Sequence, residues 1–228
     1  MTGLWMMDGP GEPVTNMERD TALFDDVLKG RLTSPVVRIY AWTKPAVTVG
    51  RLQMVEAVQR AYPAMLLVRR PTGGRAVVHG NDLTLSVATR DDWLPGTAQG
   101  VMPFYRAVAE AIAVGLAAVG VDAALAEPQP GEKSGDRVDC FEWAAGCDLV
   151  EKSSGRKLVG CAQRCEGGAV LLQASIPGIV WEDGNQTGDR AVNHMVFTAA
   201  LREALGPAIG VDRWVERTAI HQPAVVLY

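Results

Sequence analysis

Three segments of the chain hold residue types that do chemistry. The densest is Arg69-Arg70-Pro71-Thr72-Gly73-Gly74-Arg75-Ala76-Val77-Val78-His79-Gly80. Paired glycines after a short apolar run let the backbone approach a ligand closely and adopt dihedrals closed to other residues. The flanking arginines add charge and forked donors suited to carboxylate or phosphate. The same residues also spell a tight turn with solvated arginines, and spacing alone does not choose between the two. Neither common nucleotide loop is present, because no Gly-Lys-Ser/Thr follows and Gly-x-Gly-x-x-Gly is absent. The second segment, Gly155-Arg156-Lys157-Leu158-Val159-Gly160-Cys161-Ala162-Gln163, sets a lysine just past a turn and ahead of small residues. It reads either as a charged hairpin tip or as an ammonium projecting into a cleft. The third is Asp139-Cys140-Phe141, where the thiol is a small buried hydrophobe or a nucleophile. A nucleophilic thiol needs a neighbouring cation, since an unperturbed one, with a pKa of ~8.5, is mostly protonated at neutral pH.

The elements that must position these residues follow from periodicity. Residues 1–16, rich in Gly and Pro, read as an irregular lead-in, and residues 17–228 as a single domain. A helix is expected over 17–28 with Asn16 as its N-cap. Residues 36–42 and 46–49 are β-rich and separated by Thr43-Lys44-Pro45, with a short helix over 54–62 and an apolar run at 65–68. Residues 82–87 alternate with period two, as a half-buried strand does. Residues 102–119 carry Phe104, Val108, Ala111, Ile112, Gly115 and Val119 on one helical face. A loop over 126–136 precedes three strand-like runs at 146–151, 157–164 and 169–176, joined by short Gly-bearing turns, and a helix spans about 192–205. The expected fold class is α+β, with a mixed, largely antiparallel sheet and packed helices.

Composition narrows the function. The chain of 228 residues carries a formal charge of −4, which argues against nucleic acid as a bulk partner, because phosphate neutralisation supplies most of that binding. The longest apolar stretch, 107–119, is interrupted by Glu110 and falls short of the ~20 residues a bilayer requires, so no membrane span is expected. Nothing at the N-terminus reads as a signal peptide. Cys140, Cys147, Cys161 and Cys165 cluster in a chain large enough to fold without bridges, which points to a reduced, cytoplasmic protein. Their spacings match no common zinc ribbon and histidine is scarce, so no metal site is expected.

The three segments, in this order, resemble the lipoate–protein ligase and octanoyltransferase family, within the superfamily that also attaches biotin. Pro45-Ala46-Val47-Thr48-Val49-Gly50-Arg51-Leu52-Gln53 belongs to the same resemblance, which runs from about Met17 to Ile176. Arg75, where ligases usually hold a third glycine, and Cys140-Phe141, 17 positions before Lys157, are similar to the cysteine-dependent octanoyltransferase branch. Gly80-Asn81 stands where an acidic residue often follows the histidine. The resemblance implies a biotin/lipoate-ligase-like catalytic domain that moves an octanoyl or lipoyl group from acyl carrier protein to a lysine of a lipoyl domain. Such acceptors include the glycine cleavage H protein and 2-oxoacid dehydrogenase E2 subunits. It implies Cys140 and Lys157 as catalytic residues, and Arg70, Thr72, Gly73, Gly74, Arg75, His79, Gly160 and Ala162 as substrate-binding ones. An acidic carrier would meet Arg69, Arg70, Arg75, Arg156 and Arg164. No cofactor is implied for this branch. The alternatives are an ATP- and Mg-dependent lipoate–protein ligase, in which Cys140 is incidental, and a non-catalytic acyl-binding relative.

Overall fold

The computed structural model describes residues 1–127, 138–181 and 192–218. In chain order the elements are β1 (Thr2–Gly11), α1 (Pro13–Leu28), β2 (Val36–Trp42), β3 (Ala46–Val49), α2 (Val55–Ala61), β4 (Leu67–Arg69), β5 (Val77–His79) and β6 (Asp82–Arg90). They continue with α3 (Val101–Ala118), β7 (Ala123–Leu125), β8 (Leu149–Glu151), β9 (Lys157–Glu166), β10 (Ala169–Pro177), β11 (Ile179–Val180), β12 (Val192–Asn193), α4 (His194–Ala208) and β13 (Arg213–Thr218). Eight strands form one sheet in the order β13-β1-β2-β6-β10-β9-β8-β7, and β4-β3-β5 form a second. β1 runs parallel to both β13 and β2, while β2, β6, β10 and β9 pair antiparallel. The mixed α+β class expected from the sequence is the observed one.

Period-two alternation in β6 has a different origin from the half-exposed strand expected. Residues 82–89 are all buried, because both faces of the sheet are covered. Leu83, Leu85 and Val87 join the main core with Phe104, Val108 and Ile112 of α3 and Phe197 and Leu201 of α4. Thr84 and Ser86 face the other way, into a buried polar layer under α1. A strand enclosed on both sides can still alternate when one of its environments is polar.

Two expectations near the N-terminus are corrected. Residues 2–11 are not irregular: they form β1, bound on both edges by β2 and β13, and such pairings are long-range and leave no local pattern. Helix α1 starts at Pro13, whose missing N–H suits the first turn, and Asn16 is no cap. Its buried side chain donates instead to the carbonyls of Gly11 and Ala41 and accepts from Arg38. A third correction concerns α3, which with its 18 residues is long and apolar enough by composition to cross a membrane. In this fold it is a core helix, burying Phe104, Val108, Ala111, Ile112 and Leu116 against the sheet and α4. The loop expected over 126–136 lies, but for its first two residues, outside the described residues.

The loop after β3 shows why the small sheet needs glycine at position 50. A Cβ there would fall 1.9 Å from the carbonyl oxygen of Gly74, so the two backbones touch only because Gly50 has no side chain. Arg69 locks the same loop by donating to the carbonyls of Gly50, Arg51 and Gln53. Gly50→Ala is therefore expected to lower thermal stability by several degrees and to loosen the diglycine loop, measurable by circular dichroism melting and by faster proteolysis at 69–76.

Candidate active site

Cys140 begins a short 3₁₀ turn, Cys140–Glu142, whose geometry is fixed from both sides. Asp139 caps it, accepting from the Phe141 amide at 2.7 Å and from the Tyr62 hydroxyl at 2.7 Å. The Cys140 amide donates to the Ala76 carbonyl at 2.8 Å, and the Ala76 amide donates to Val138. The thiol is thus tied to the segment that follows the diglycine loop, although 64 positions of sequence separate Ala76 from Cys140.

Lys157, the first residue of β9, is buried, and its Nζ lies 3.4 Å from Cys140 Sγ. It also donates to Asp148 Oδ2 at 2.7 Å and to the Trp143 carbonyl at 3.3 Å. Burial alone would pull the Lys157 ammonium down, but Cys140 and the Asp148 carboxylate outweigh it and hold the group above the ordinary lysine value. Asp148 is itself buried and satisfied by two further donors, the Tyr105 hydroxyl on its Oδ1 and the Ala145 amide on its Oδ2. Burial, with Cys161 and Asp148 adding to it, pushes the Tyr105 phenol well up, so it acts here as a donor. Neither Asp148 nor Tyr105 was legible from sequence. The only signal was a carboxylate inside the strand-like run 146–151 and a phenol on an amphipathic helix, both ordinary features.

Beside the thiol lies a narrow cavity of about 20 Å³, close to the room a single water needs. Met17, Tyr40, Trp42, Val77, Cys140, Gly160, Cys161, Ala162 and Ala174 give it a largely apolar lining, with Arg70, Thr48, His79, Thr84, Gln173 and Ser175 among the polar groups. Those polar groups are saturated from behind. His79 Nδ1 bonds Asp82 Oδ2 at 2.8 Å and its Nε2 bonds Thr48 Oγ1 at 2.8 Å. The Asp82 carboxylate accepts, so the imidazole carries a hydrogen on Nδ1. Ser175 and Thr84 also donate to Asp82, Trp42 donates to Thr84, and the Trp42 and His79 rings stack at 4.0 Å. Gln173 donates to Asp20 and accepts from Thr72 Oγ1 at 2.6 Å. With their hydrogens consumed, these groups turn toward the cavity as weakly polar wall. The acid absent at Gly80-Asn81 is supplied by Asp82, three positions after His79.

The sequence-derived candidates separate on this map. Cys140, Arg70, His79, Gly160 and Ala162 line the one cavity, with Lys157 bonded to the thiol at its edge. Thr72 stands behind the wall, fixing Gln173. Gly73, Gly74 and Arg75 do not line it: the Gly73 and Arg75 carbonyls turn to the Arg70 guanidinium, and Gly74, with φ +80°, is exposed. Nor does Arg70 face a carrier protein, since only 5% of it is exposed. The turn packs closely on Gly160: a Cβ there would sit 3.2 Å from the Phe141 ring and 3.4 Å from Cys140 Sγ.

A model of the lipoyl protein ligase A/B catalytic domain matches residues 12–177. The chain belongs to that family. Octanoyltransferase LipM of Moorella thermoacetica is 37% identical over 175 residues, covering 74% of this chain and 62% of that protein. Octanoyltransferase LipM of Kyrpidia tusciae is 34% identical over 234 residues, covering 92% of this chain and 82% of that protein. The chain spans 62% and 61% of the length of the Moorella thermoacetica and Geobacillus kaustophilus proteins, so these relatives carry sequence beyond the match. Among solved structures, protein Ta0514 of T. acidophilum, with bound lipoic acid, is similar with a TM-score of 0.66 at 21% identity, covering 97% of this chain and 91% of that one. Lipoate-protein ligase A bound with ATP follows at 0.64 and 19%, covering 97% and 90%. At these identities the structural likeness is one of fold, and this family member's site rests on its own geometry.

Proposed function

We propose that this protein transfers an octanoyl group from octanoyl-acyl carrier protein to a lysine of a lipoyl domain through a thioester on Cys140. The observation that carries the reading is the contact of a thiol and a buried ammonium, 3.4 Å apart, at the edge of a mostly apolar cavity. In the first step the Cys140 thiolate attacks the thioester carbonyl carbon, a new carbon–sulfur bond forms, and the carrier's thiolate leaves and takes a proton. In the second, the acceptor's lysine amine attacks the enzyme thioester, an amide forms, the Cys140 thiolate is released and the amine gives up its proton. Lys157 Nζ is placed to donate to the carbonyl oxygen as it gains charge in both steps. The acyl energy is already held in the donor thioester, so the proposed reaction uses no nucleotide and no metal. The relatives named octanoyltransferase support this branch over the ligases. The four cysteines are free thiols, which suits the cytoplasmic setting we propose.

Intact-mass measurement after mixing with octanoyl-acyl carrier protein, without nucleotide, tests the reading. The expected result is a single octanoyl addition that hydroxylamine removes and that a lipoyl domain discharges. An unmodified protein that instead lipoylates the domain from free acid with ATP and Mg would overturn it in favour of a ligase. No modification and no transfer under either condition would overturn it in favour of a non-catalytic acyl-binding protein.

A further inference from the structure

The loop between β3 and α2 presents an apolar surface that the fold itself does not use. Leu52 is 81% exposed and Met54 69%, more than any other large apolar side chain among the described residues. Such exposure is ordinary on a loose loop, but this loop is pinned. The Arg51 amide donates to the Thr72 carbonyl at 2.9 Å, and the Gln53 amide to the Gly50 carbonyl at 3.0 Å. Arg69 holds the carbonyls of Gly50, Arg51 and Gln53 through Nη1. The Gln53 side chain donates to the carbonyl of Val138 at 3.0 Å, and Val138 stands two positions before Cys140. Leu52 is therefore displayed on a fixed support beside the turn that carries the thiol.

The charges around this loop are as unusual as its apolar tip. Elsewhere on the described surface cations sit against carboxylates, as Lys44 does with Glu12, Arg90 with Asp92 and Lys152 with Asp122. Two of the arginines expected to meet a carrier are occupied in this way, Arg156 by Glu151 and Arg164 by Glu166, and Arg70 is buried. Among the described residues, Arg51, Arg60 and Arg69 are exposed and have no carboxylate at ion-pairing distance. The other exposed arginines so placed, Arg213 and Arg217, lie on β13, at the other end of the main sheet from β8 and β9. Three carboxylates stand on the elements packed against the loop. They are Glu56 of α2, Glu142, and Asp139, which accepts from the Phe141 amide and the Tyr62 hydroxyl. None of them pairs with these arginines. Methionine and arginine are the residues enriched where proteins meet, and a loop already fixed loses little entropy on docking.

We infer that the loop over 50–54, flanked by Arg69 and by Arg60 of α2, is the docking surface for the acyl donor's carrier protein, whose face would set carboxylates around an apolar hollow. The inference rests on the proposed transfer and names the surface that receives its first substrate. The unpaired arginines match an acidic carrier in sign and favour its approach. A carrier offers its thioester at the end of a long flexible arm, so its body fits a surface beside the thiol. An acceptor lysine is short, and its domain must come over the thiol itself.

The test compares two donors, octanoyl-acyl carrier protein and octanoyl-pantetheine, which offers the same thioester without a protein. Adduct formation is followed over time by intact mass. Leu52→Asp and Arg51→Glu are each expected to slow loading from the carrier by about tenfold, while loading from octanoyl-pantetheine stays within about twofold. Added salt is expected to slow the carrier reaction of the wild type more than that of Arg51→Glu. Equal losses with both donors overturn the inference, because the loop would then act on the thiol. Unchanged loading from the carrier overturns it as well. In that case slower discharge of the loaded enzyme to a lipoyl domain assigns the surface to the acceptor. A wild-type dimer that Leu52→Asp dissociates, seen by light scattering, assigns it to a second copy. Binding of fluorescently labelled holo-carrier needs no chemistry. A protein that forms no adduct from either donor, yet binds the carrier about tenfold more tightly than Leu52→Asp does, retains the surface and loses the transfer reading. Equal binding by the two overturns the surface also.

Discussion

Replacing Cys140 with alanine is expected to abolish the octanoyl adduct and to lower transfer to a lipoyl domain by about 10⁴-fold or more, while Cys165→Ala leaves both unchanged. Only one of the four thiols combines contact with an ammonium, an opening onto the cavity and a backbone pinned at both neighbours. Cys161 shares the cavity wall, but burial drives its thiol up and keeps it protonated, hence a poor nucleophile. Cys165 is exposed at the far end of β9, and partial burial, with Asp91 adding to it, raises its thiol as well. Cys140→Ser is expected to be as inactive as alanine, because a hydroxyl is far harder to ionise beside the same cation. The paired measurements are intact mass after exposure to octanoyl-acyl carrier protein and the rate of lipoyl-domain modification. Transfer by Cys140→Ala within tenfold of the wild type would remove the thioester mechanism and leave Cys140 a wall residue.

What the sequence made legible follows the range of the interactions involved. Lys157 and Cys140 could be singled out because each sits in a local context with its own signature, a turn before small residues and an Asp-Cys-Phe step. That the two meet is a tertiary fact, created by the Ala76–Cys140 hydrogen bond and by β9 entering the sheet between β8 and β10. Asp148 and Tyr105 were invisible for the same reason: their function lies wholly in whom they touch. The resemblance sets the diglycine loop against substrate, whereas Gly73, Gly74 and Arg75 lie off the cavity wall. Gly73 and Arg75 use their carbonyls to hold Arg70, so the loop builds the wall from behind. Periodicity told strand from helix correctly along most of the chain, yet could not tell a solvated face from a buried polar one. The alternation of β6 was therefore misassigned, and the network of Asp20, Arg38, Tyr40 and Gln173 beneath the cavity went unseen.

The ion pair of Lys157 and Asp148 yields the second large effect, because both side chains are nearly excluded from solvent, at 5% and 4% exposure. Lys157→Met alone leaves a buried carboxylate with two neutral donors and no cation, a change expected to cost about 3–5 kcal/mol of stability. Asp148→Asn alone strands the ammonium against a thiol and a carbonyl and is expected to cost a similar amount. The double variant removes both charges and keeps an acceptor for the Tyr105 hydroxyl or the Ala145 amide. It is expected to recover most of the lost stability in urea unfolding while remaining inactive, since no ammonium is left to meet the carbonyl. Such non-additivity separates the structural role of the pair from its chemical one. Simple addition of the two single losses would show that the residues do not act together. The pH dependence has a definite sign. Lys157 is held above its unfolded value, so its contribution is full below the ordinary lysine pKa of ~10.4 and fades only as pH rises through the higher folded value. Wild-type stability is therefore expected to be insensitive to this pair across neutral and mildly alkaline pH, and to fall more steeply than that of the double variant once the solution is more alkaline than a free lysine tolerates.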